Sequence, residues 1–181
     1  MNPIEITPFT PADLDSAYHL FKRSIPDTFE KEGLTAAFTD EIQQEVDGKK
    51  QMLHDAIVDE ASVRFLVARM DGNVIGAISI GPCKEDVIRC TEGKLSNILE
   101  LGSLYVMPEY QGQGIGSALI HEMITSLAER GIEHFCLDSG YRNAQMRWLR
   151  KFGKPYVTVQ DYWGPDLPHM VWHCNVADYL R

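Results

Sequence analysis

The chain has few cysteines, no long apolar run and no excess of basic charge, and each shortage closes off a class of protein. Its four cysteines, Cys83, Cys90, Cys136 and Cys174, show no Cys-x-x-Cys spacing. That removes the usual zinc and dithiol patterns and predicts free thiols in a reducing compartment. No apolar stretch reaches the length of a membrane span, and the first residues lack the basic-then-apolar order of a secretory signal. A cytoplasmic protein with no membrane partner is therefore expected. The 17 basic residues stand against 26 acidic ones, a net charge of −9, which is the wrong sign for a nucleic-acid partner. The excess is concentrated in residues 1–60, with 13 acidic and 5 basic side chains. Such a lobe either steers a cationic amine or forms solvated helix faces. With 181 residues and no repeat, linker or low-complexity tract, residues 1–181 are expected to form a single domain.

What is present reads as alternating strands and helices. Residues 4–6 begin a short strand, and Thr10-Pro11 reads as the cap and first position of a helix running to about Ser24. Residues 34–57 are mostly helix-forming, with Val46, Leu53 and Ala56 among the candidate core positions and a break or cap expected near Gly48. Strands at 64–70 and 74–81 flank Asp71-Gly72-Asn73, residues that tolerate positive φ and so signal a hairpin. Residues 81–97 are rich in charge and read as a long loop or an extension of the next hairpin. Residues 98–106 and 132–137 are apolar enough for interior strands. Between them Ile115, Leu119, Met123 and Leu127 recur at helical spacing, and Gly131 closes that helix. Residues 156–159 and 170–173 read as the last strands.

The segment joining the strand that ends at Val106 to the helix that starts at Ile115 carries the chemistry. Pro108 cannot continue a ladder, so the strand stops. Gly112, Gly114 and Gly116, at every second position, then let the backbone approach a ligand closely. The following helix aims its free N–H groups and positive dipole end at the same place. A phosphate is the expected guest, and a glycine-rich turn without a ligand is the other reading. Gly102-Ser103 reads as a bulge that would splay the preceding strand from a neighbour.

Gln111-Gly112-Gln113-Gly114-Ile115-Gly116 resembles the Gln/Arg-x-x-Gly-x-Gly/Ala signature of the GNAT (Gcn5-related) N-acetyltransferases, and Val106-x-Pro108 before it and Asn143 to Gly153 after it fit the same pattern. The resemblance implies an α/β (α+β) GNAT fold: a mixed, mostly antiparallel sheet of six to seven strands with a central splayed parallel pair, flanked by helices on both faces. It places the cofactor-binding core at about 98–153 and variable acceptor-side helices at about 12–60. It further implies acetyl-CoA as the acetyl donor, with its pyrophosphate on the loop of Gln111, Gly112, Gln113, Gly114, Ile115, Gly116 and Ser117. The pantetheine would pair with the strand edge of Leu104, Tyr105 and Val106, whose backbone can bond to its amides as another strand would. Asn143 matches the family position that contacts the cofactor, and a helix N-cap is its alternative role. The implied acceptor is an amine of a small molecule or peptide. No metal is implied, and a homodimer is compatible with the resemblance.

Acyl transfer to an amine needs a neutral nucleophile, stabilisation of the oxyanion and a proton for the departing thiolate. Glu100 stands in an otherwise apolar strand eleven residues before Gln111, where the histone-acetylating branch of the family carries its general base. Burial would raise its pKa toward neutrality. A solvent-facing charge, or the partner of an arginine, is the alternative. A backbone N–H of Val106 or Leu104 is the expected oxyanion donor. Many members place a tyrosine four residues before the closing glycine as the acid for the thiolate, and Leu149 stands there instead. Tyr141, Tyr156 and Tyr162 are the nearby substitutes. Arg142, Arg147, Arg150, Lys151 and Lys154 form a basic cluster that reads as a solvated helix face or a contact for the 3′-phosphate of CoA. His169 and His173 share a strand face but lack a third metal ligand, and no metal is assigned.

Two rival readings are defined by the same residues. A dinucleotide-binding oxidoreductase would use Asp138 as a ribose contact, but the spacer Met107 to Tyr110 and the short chain after Asp138 speak against it. A catalytically silent acyl-CoA sensor keeps the fold and drops the reaction, and the missing tyrosine motivates it.

Overall fold

The computed structural model describes residues 3–34 and 38–180. Seven strands follow the hydrogen-bonded order β1-β2-β3-β4-β5-β7-β6. The chain divides into two compact units, Met1–Ile80 with Ser103–Thr125, and Gly81–Gly102 with Ser126–Arg181.

The first unit contains β1 (Glu5–Pro8), α1 (Leu14–Lys31), α2 (Thr39–Val58), β2 (Arg64–Met70) and most of β3 (Asn73–Pro82). It also holds the end of β4 (Leu99–Val106) and the start of α4 (Ile115–Glu129). β1 pairs antiparallel with β2, and β2 with β3. The hairpin closes as expected: Met70 faces Asn73, and Asp71 and Gly72 take φ 53° and 77°. Thr10 donates both its N–H and its hydroxyl to Asp13, at 2.8 Å each, inside a short 3-10 turn that feeds α1. Arg69 Nε donates to the same carboxylate at 2.8 Å, which ties β2 to the entry of α1.

Two expectations are corrected here. The first helix does not stop near Ser24 but runs to Lys31 with Pro26 inside it. Pro26 removes one backbone donor, yet Phe21, Ser24, Ile25 and Phe29 continue one buried stripe across it, and burial outweighs the lost bond. The second helix is unbroken through Gly48, since Val46, Lys49, Leu53 and Ala56 form a single buried face on either side of that residue. Its expected start at Leu34 is replaced by Thr39, and residues 35–37 of that stretch lie outside the described ones.

The second unit contains α3 (Glu85–Cys90), the start of β4, the end of α4, β5 (His134–Ser139), α5 (Arg142–Phe152), β6 (Val157–Val159) and β7 (His169–Asn175). Here the expected loop at 81–97 is corrected, because Val87 and Cys90 of α3 are buried against Cys136 and Val171. β4 runs parallel to β5 with Leu99 opposite Phe135 and Glu100 opposite Cys136, while β7 pairs antiparallel with both β5 and β6. Side chains alternate along β5. Cys136 faces the α3 side, and Phe135 faces α5, where it meets the ring of Phe152 at 5.9 Å. Helices therefore cover both faces of these strands. Gly131 closes α4 at φ 70°, as the sequence predicts.

Candidate active site

The glycine loop and its flanks lie in the first unit. The Met107 N–H donates to Ile75 of β3 at 2.9 Å. Alternation along the strand then turns the N–H and C=O of Val106, and those of Leu104, away from β3. A 3-10 turn at Pro108–Tyr110 ends the strand. Gly112 and Gly114 follow at φ 75° and 83°, a region open to glycine and strained for other residues. The first bond inside α4 runs from the Ala118 N–H to Gly114 at 3.0 Å. The amides of Ile115, Gly116 and Ser117 therefore precede the helical ladder and point out of its positive end. Ile115 is buried and anchors the helix, while Gly112, Gln113, Gly114 and Ser117 are exposed. The glycine turn and the helix start read from the sequence are both present, and three amides face outward between them.

Gln111 holds this loop to the strand. Its carboxamide N–H₂ donates to the Val106 carbonyl at 3.0 Å and to Asp27 at 3.2 Å, and its oxygen accepts from the Lys31 ammonium at 2.6 Å. The Ser24 hydroxyl also donates to the Val106 carbonyl, at 3.2 Å. Sequence reasoning found Gln111 but missed Ser24, Asp27 and Lys31. All three sit on the part of α1 that Pro26 made improbable or at its edge. Tyr105, on the same strand, directs its hydroxyl to Glu45 of α2 at 3.4 Å. Ser103, at the expected bulge, takes φ 50°.

Glu100 lies in the second unit and is 4% exposed. Its carboxylate accepts the backbone N–H of Lys84 at 2.6 Å and faces the Lys84 ammonium at 3.6 Å. Burial is the main force that pushes its pKa above the ordinary carboxylate value, and the negative charge of Asp138 adds to it. Lys84 pulls the other way and does not cancel the rise. The carboxylate is therefore not solvent-facing, and the cation beside it is Lys84 where an arginine was the alternative. Close by, the Cys83 and Cys136 sulfurs are 3.1 Å apart, and burial raises both thiols, which keeps them protonated.

Asp138 itself is bonded to His169, Nε2 to Oδ2 at 2.9 Å, and the Trp163 indole N–H donates to Nδ1 of the same ring at 3.0 Å. No sequence signal joined these three residues. Asp138 and His169 are 31 positions apart and meet because β5 and β7 lie side by side.

Asn143 is exposed in the first turn of α5, and the cap position belongs to Tyr141, so the N-cap role is corrected. The buried polar residue of that helix is Gln145, which donates to the carbonyls of Ser139 and Pro168 at 2.9 Å each. Leu149 is half-buried in α5. Of the substitute tyrosines, Tyr162 commits its hydroxyl to Asp86 at 2.6 Å, and burial with that bond pushes its pKa up to about 12. Arg142, Arg147, Arg150, Lys151 and Lys154 are all exposed. Among the described residues, no group of three or more His, Cys, Asp or Glu is placed to hold a metal ion, and no helix is long and apolar enough to cross a membrane.

Comparison with known proteins places these features in context. A sequence model of the acetyltransferase (GNAT) family matches residues 14–153. The acetoin utilization protein AcuA of Bacillus licheniformis is 29% identical over 87 residues, which is 46% of this chain and 40% of that protein. The chain spans less than half the length of the curated relatives it matches. Among solved structures, the PaiA N-acetyltransferase of Thermoplasma acidophilum, in complex with coenzyme A, matches with a TM-score of 0.66 and 20% identity over 94% of this chain and 98% of its own. The ribosomal-protein-alanine N-acetyltransferase of Brucella melitensis matches with a TM-score of 0.67 and 23% identity over 94% and 99%. At these identities the two structures establish a shared fold.

Proposed function

The chain belongs to the GNAT acetyltransferase family, and from that premise we propose that it is an N-acetyltransferase, moving an acetyl group from acetyl-CoA to a primary amine by direct attack in a ternary complex. The observation that carries this reading is the loop of Gln111 to Ser117: two glycines at positive φ, followed by three amides that point out of the start of α4. That is a donor set for a pyrophosphate, and the PaiA structure was solved with coenzyme A. The reading treats residues 1–181 as one acetyltransferase domain, because the family match crosses both units.

In this mechanism the amides of Gly112, Gln113, Gly114, Ile115, Gly116 and Ser117 hold the pyrophosphate, and the outward backbone groups of Leu104 with the outward N–H of Val106 hold the pantetheine. Tyr105 shapes the same strand, and Asn143 contacts the cofactor from α5. Glu100 takes the proton of the attacking amine. Its desolvated carboxylate binds a proton more firmly than an exposed one, which suits a base that must act on an ammonium group near neutral pH. The acceptor is a small-molecule or peptide amine. Family relatives by fold include enzymes named for spermidine and for a ribosomal-protein alanine.

Release of free thiol from acetyl-CoA in the presence of a mixed panel of polyamines, peptides and aminoglycosides tests the reading. Amine-dependent release is expected. One observation favours a second reading: Leu149 occupies the usual acid position, and Tyr162 is tied to Asp86. Tight acetyl-CoA binding with no release from any amine in the panel would make the protein an acyl-CoA sensor.

A further inference from the structure

Cys83 and Cys136 are 53 positions apart in the chain, and their sulfurs are 3.1 Å apart in space. The fold builds this contact. Past the end of β3 the chain crosses the α3 side, where the Cys83 sulfur lies 3.2 Å from the Leu95 carbonyl and 3.0 Å from that of Ile98. Cys136 meets it from β5, within the cluster of Val87, Leu95 and Val171. The two sulfurs differ in access, since Cys83 is half-buried and Cys136 is 0% exposed. The other two thiols are turned elsewhere. Cys90 packs in the same cluster with the Tyr162 side chain as its partner, and Cys174, opposite Phe135, is on the other face of the sheet.

The hydrogen bonds assign the two sulfurs different roles. Cys83 gives its own proton to the Leu95 or the Ile98 carbonyl, which leaves its sulfur to accept from the Cys136 S–H. Burial pushes the Cys83 thiol up, and the bond from Cys136 works against that rise; the same bond adds to the rise that burial imposes on Cys136. Cys83 is thus the sulfur that reacts first, from the open side, and Cys136 stands behind it with a proton to give. The pair also adjoins the candidate base. The Lys84 N–H, next in the chain to Cys83, donates to Glu100 at 2.6 Å, and Glu100 lies opposite Cys136 in the register of β4 and β5.

We propose that Cys83 and Cys136 are a modification site that a hydroperoxide closes to a disulfide, and that closure slows acetyl transfer by drawing the Lys84 N–H away from Glu100. The second half rests on the reading of Glu100 as the base. The Cys83 sulfur, as its thiolate, attacks one peroxide oxygen. The O–O bond breaks, the proton given up by Cys83 leaves with the departing hydroxide as water, and Cys83 becomes a sulfenic acid. The Cys136 sulfur then attacks the Cys83 sulfur. The S–S bond forms, the S–O bond breaks, and the Cys136 proton leaves with the oxygen as a second water. Two thiols lose two electrons and the peroxide gains them. Because Cys136 hands over its proton as it attacks, no charged sulfur has to persist in the buried cluster. An S–S bond of about 2.0 Å is shorter than the present contact, so Cys83 moves toward β5 and carries Lys84 with it. Burial keeps the Cys83 thiolate scarce, so closure runs over minutes to hours.

The test exposes the folded full chain to excess hydrogen peroxide, removes the peroxide with catalase, and reads intact mass, cross-linked peptides and kinetics side by side. The mass is expected to fall by two hydrogens, with the peptides of Cys83 and Cys136 joined. In the same sample kcat is expected to fall by about ten- to a hundredfold with KM for acetyl-CoA unchanged, and dithiothreitol to restore it. Cys83→Ser, at the half-buried sulfur, should keep the basal rate and lose the response to peroxide. Absence of the cross-link in folded protein overturns the proposal. A cross-link that leaves kcat unchanged, or an equal loss of kcat in Cys83→Ser, overturns the control of Glu100. Reduced protein that releases no thiol with any amine overturns the acetyltransferase reading and that control with it, while the mass and the peptide map still decide the disulfide, so the two ideas fail separately.

Discussion

The Gln111 carboxamide donates to the Val106 carbonyl at 3.0 Å, closing the glycine loop onto the end of the strand it leaves. The first residue of the motif is thus a brace, with Asp27 and Lys31 as its other anchors. Gln111→Ala removes the brace and leaves the loop amides in place. A net hydrogen bond of about 1 kcal/mol corresponds to about fivefold weaker acetyl-CoA binding. Isothermal titration calorimetry reads this directly, and undiminished affinity would show that the loop holds its shape without Gln111.

Glu100→Gln separates activity from stability. Turnover at neutral pH is expected to fall about a hundredfold or more, with acetyl-CoA affinity nearly unchanged. Stability should move the other way. Because the folded-state pKa is raised, the native state favours protonated Glu100, and the wild-type protein loses stability as pH rises through that folded value. The glutamine variant escapes this loss. Its melting temperature should therefore exceed that of the wild type by a margin that grows from acid to neutral pH, as a pH series of thermal melts will record.

Two glycines are predicted to behave oppositely. A Cβ at Gly114 meets nothing within 4 Å, but φ 83° strains it by about 1–2 kcal/mol and the side chain stands over the loop amides. Gly114→Val should weaken acetyl-CoA binding at least about tenfold in a folded protein. At Gly76 a Cβ would meet side-chain carbons of Leu119 and Ile115 at 3.0 and 3.2 Å. Gly76→Ala should cost about 1–3 kcal/mol of stability, because both contacts belong to a packed core. Circular dichroism melts together with binding titrations distinguish the two outcomes.

Acid should act through Asp13. Burial raises its pKa, but the hydrogen bonds from Arg69 and Thr10 outweigh burial and hold the carboxyl below the ordinary carboxylate value. A lowered folded-state pKa gives stability that is present above the unfolded value and lost as pH falls through the folded one. Asp13→Asn should be less stable than the wild type at neutral pH, and the gap should close below about pH 4. Denaturant unfolding at neutral and acid pH measures it.

Several parts of this protein were legible because a single residue type decides them. Asp71-Gly72 forces a hairpin and so marks β2 and β3 on either side of it, and Gly112 and Gly114 form the loop. Other parts were hidden because competing forces decide them. Pro26 argues for a helix end, and a buried stripe that local propensity does not show overrides it. α3 is six residues long with three charged side chains among them, too short to display a period. Asp138 and His169 each looked like something else in sequence, a ribose contact and a half-formed metal pair. Only the register of β5 against β7 makes them partners.

The exposure of Trp163 has an optical consequence. Trp172 is 1% exposed and donates its indole N–H to Gly153 at 2.9 Å, so its emission is blue and shielded. Trp163 is open to solvent and hydrogen-bonded to an imidazole, so it contributes the most to the red, iodide-quenchable emission, with the half-buried Trp148 between the two. Excitation at the red edge therefore gives the protein an intrinsic dye beside the His169 ring, one that reports on the β6–β7 connection and needs no label.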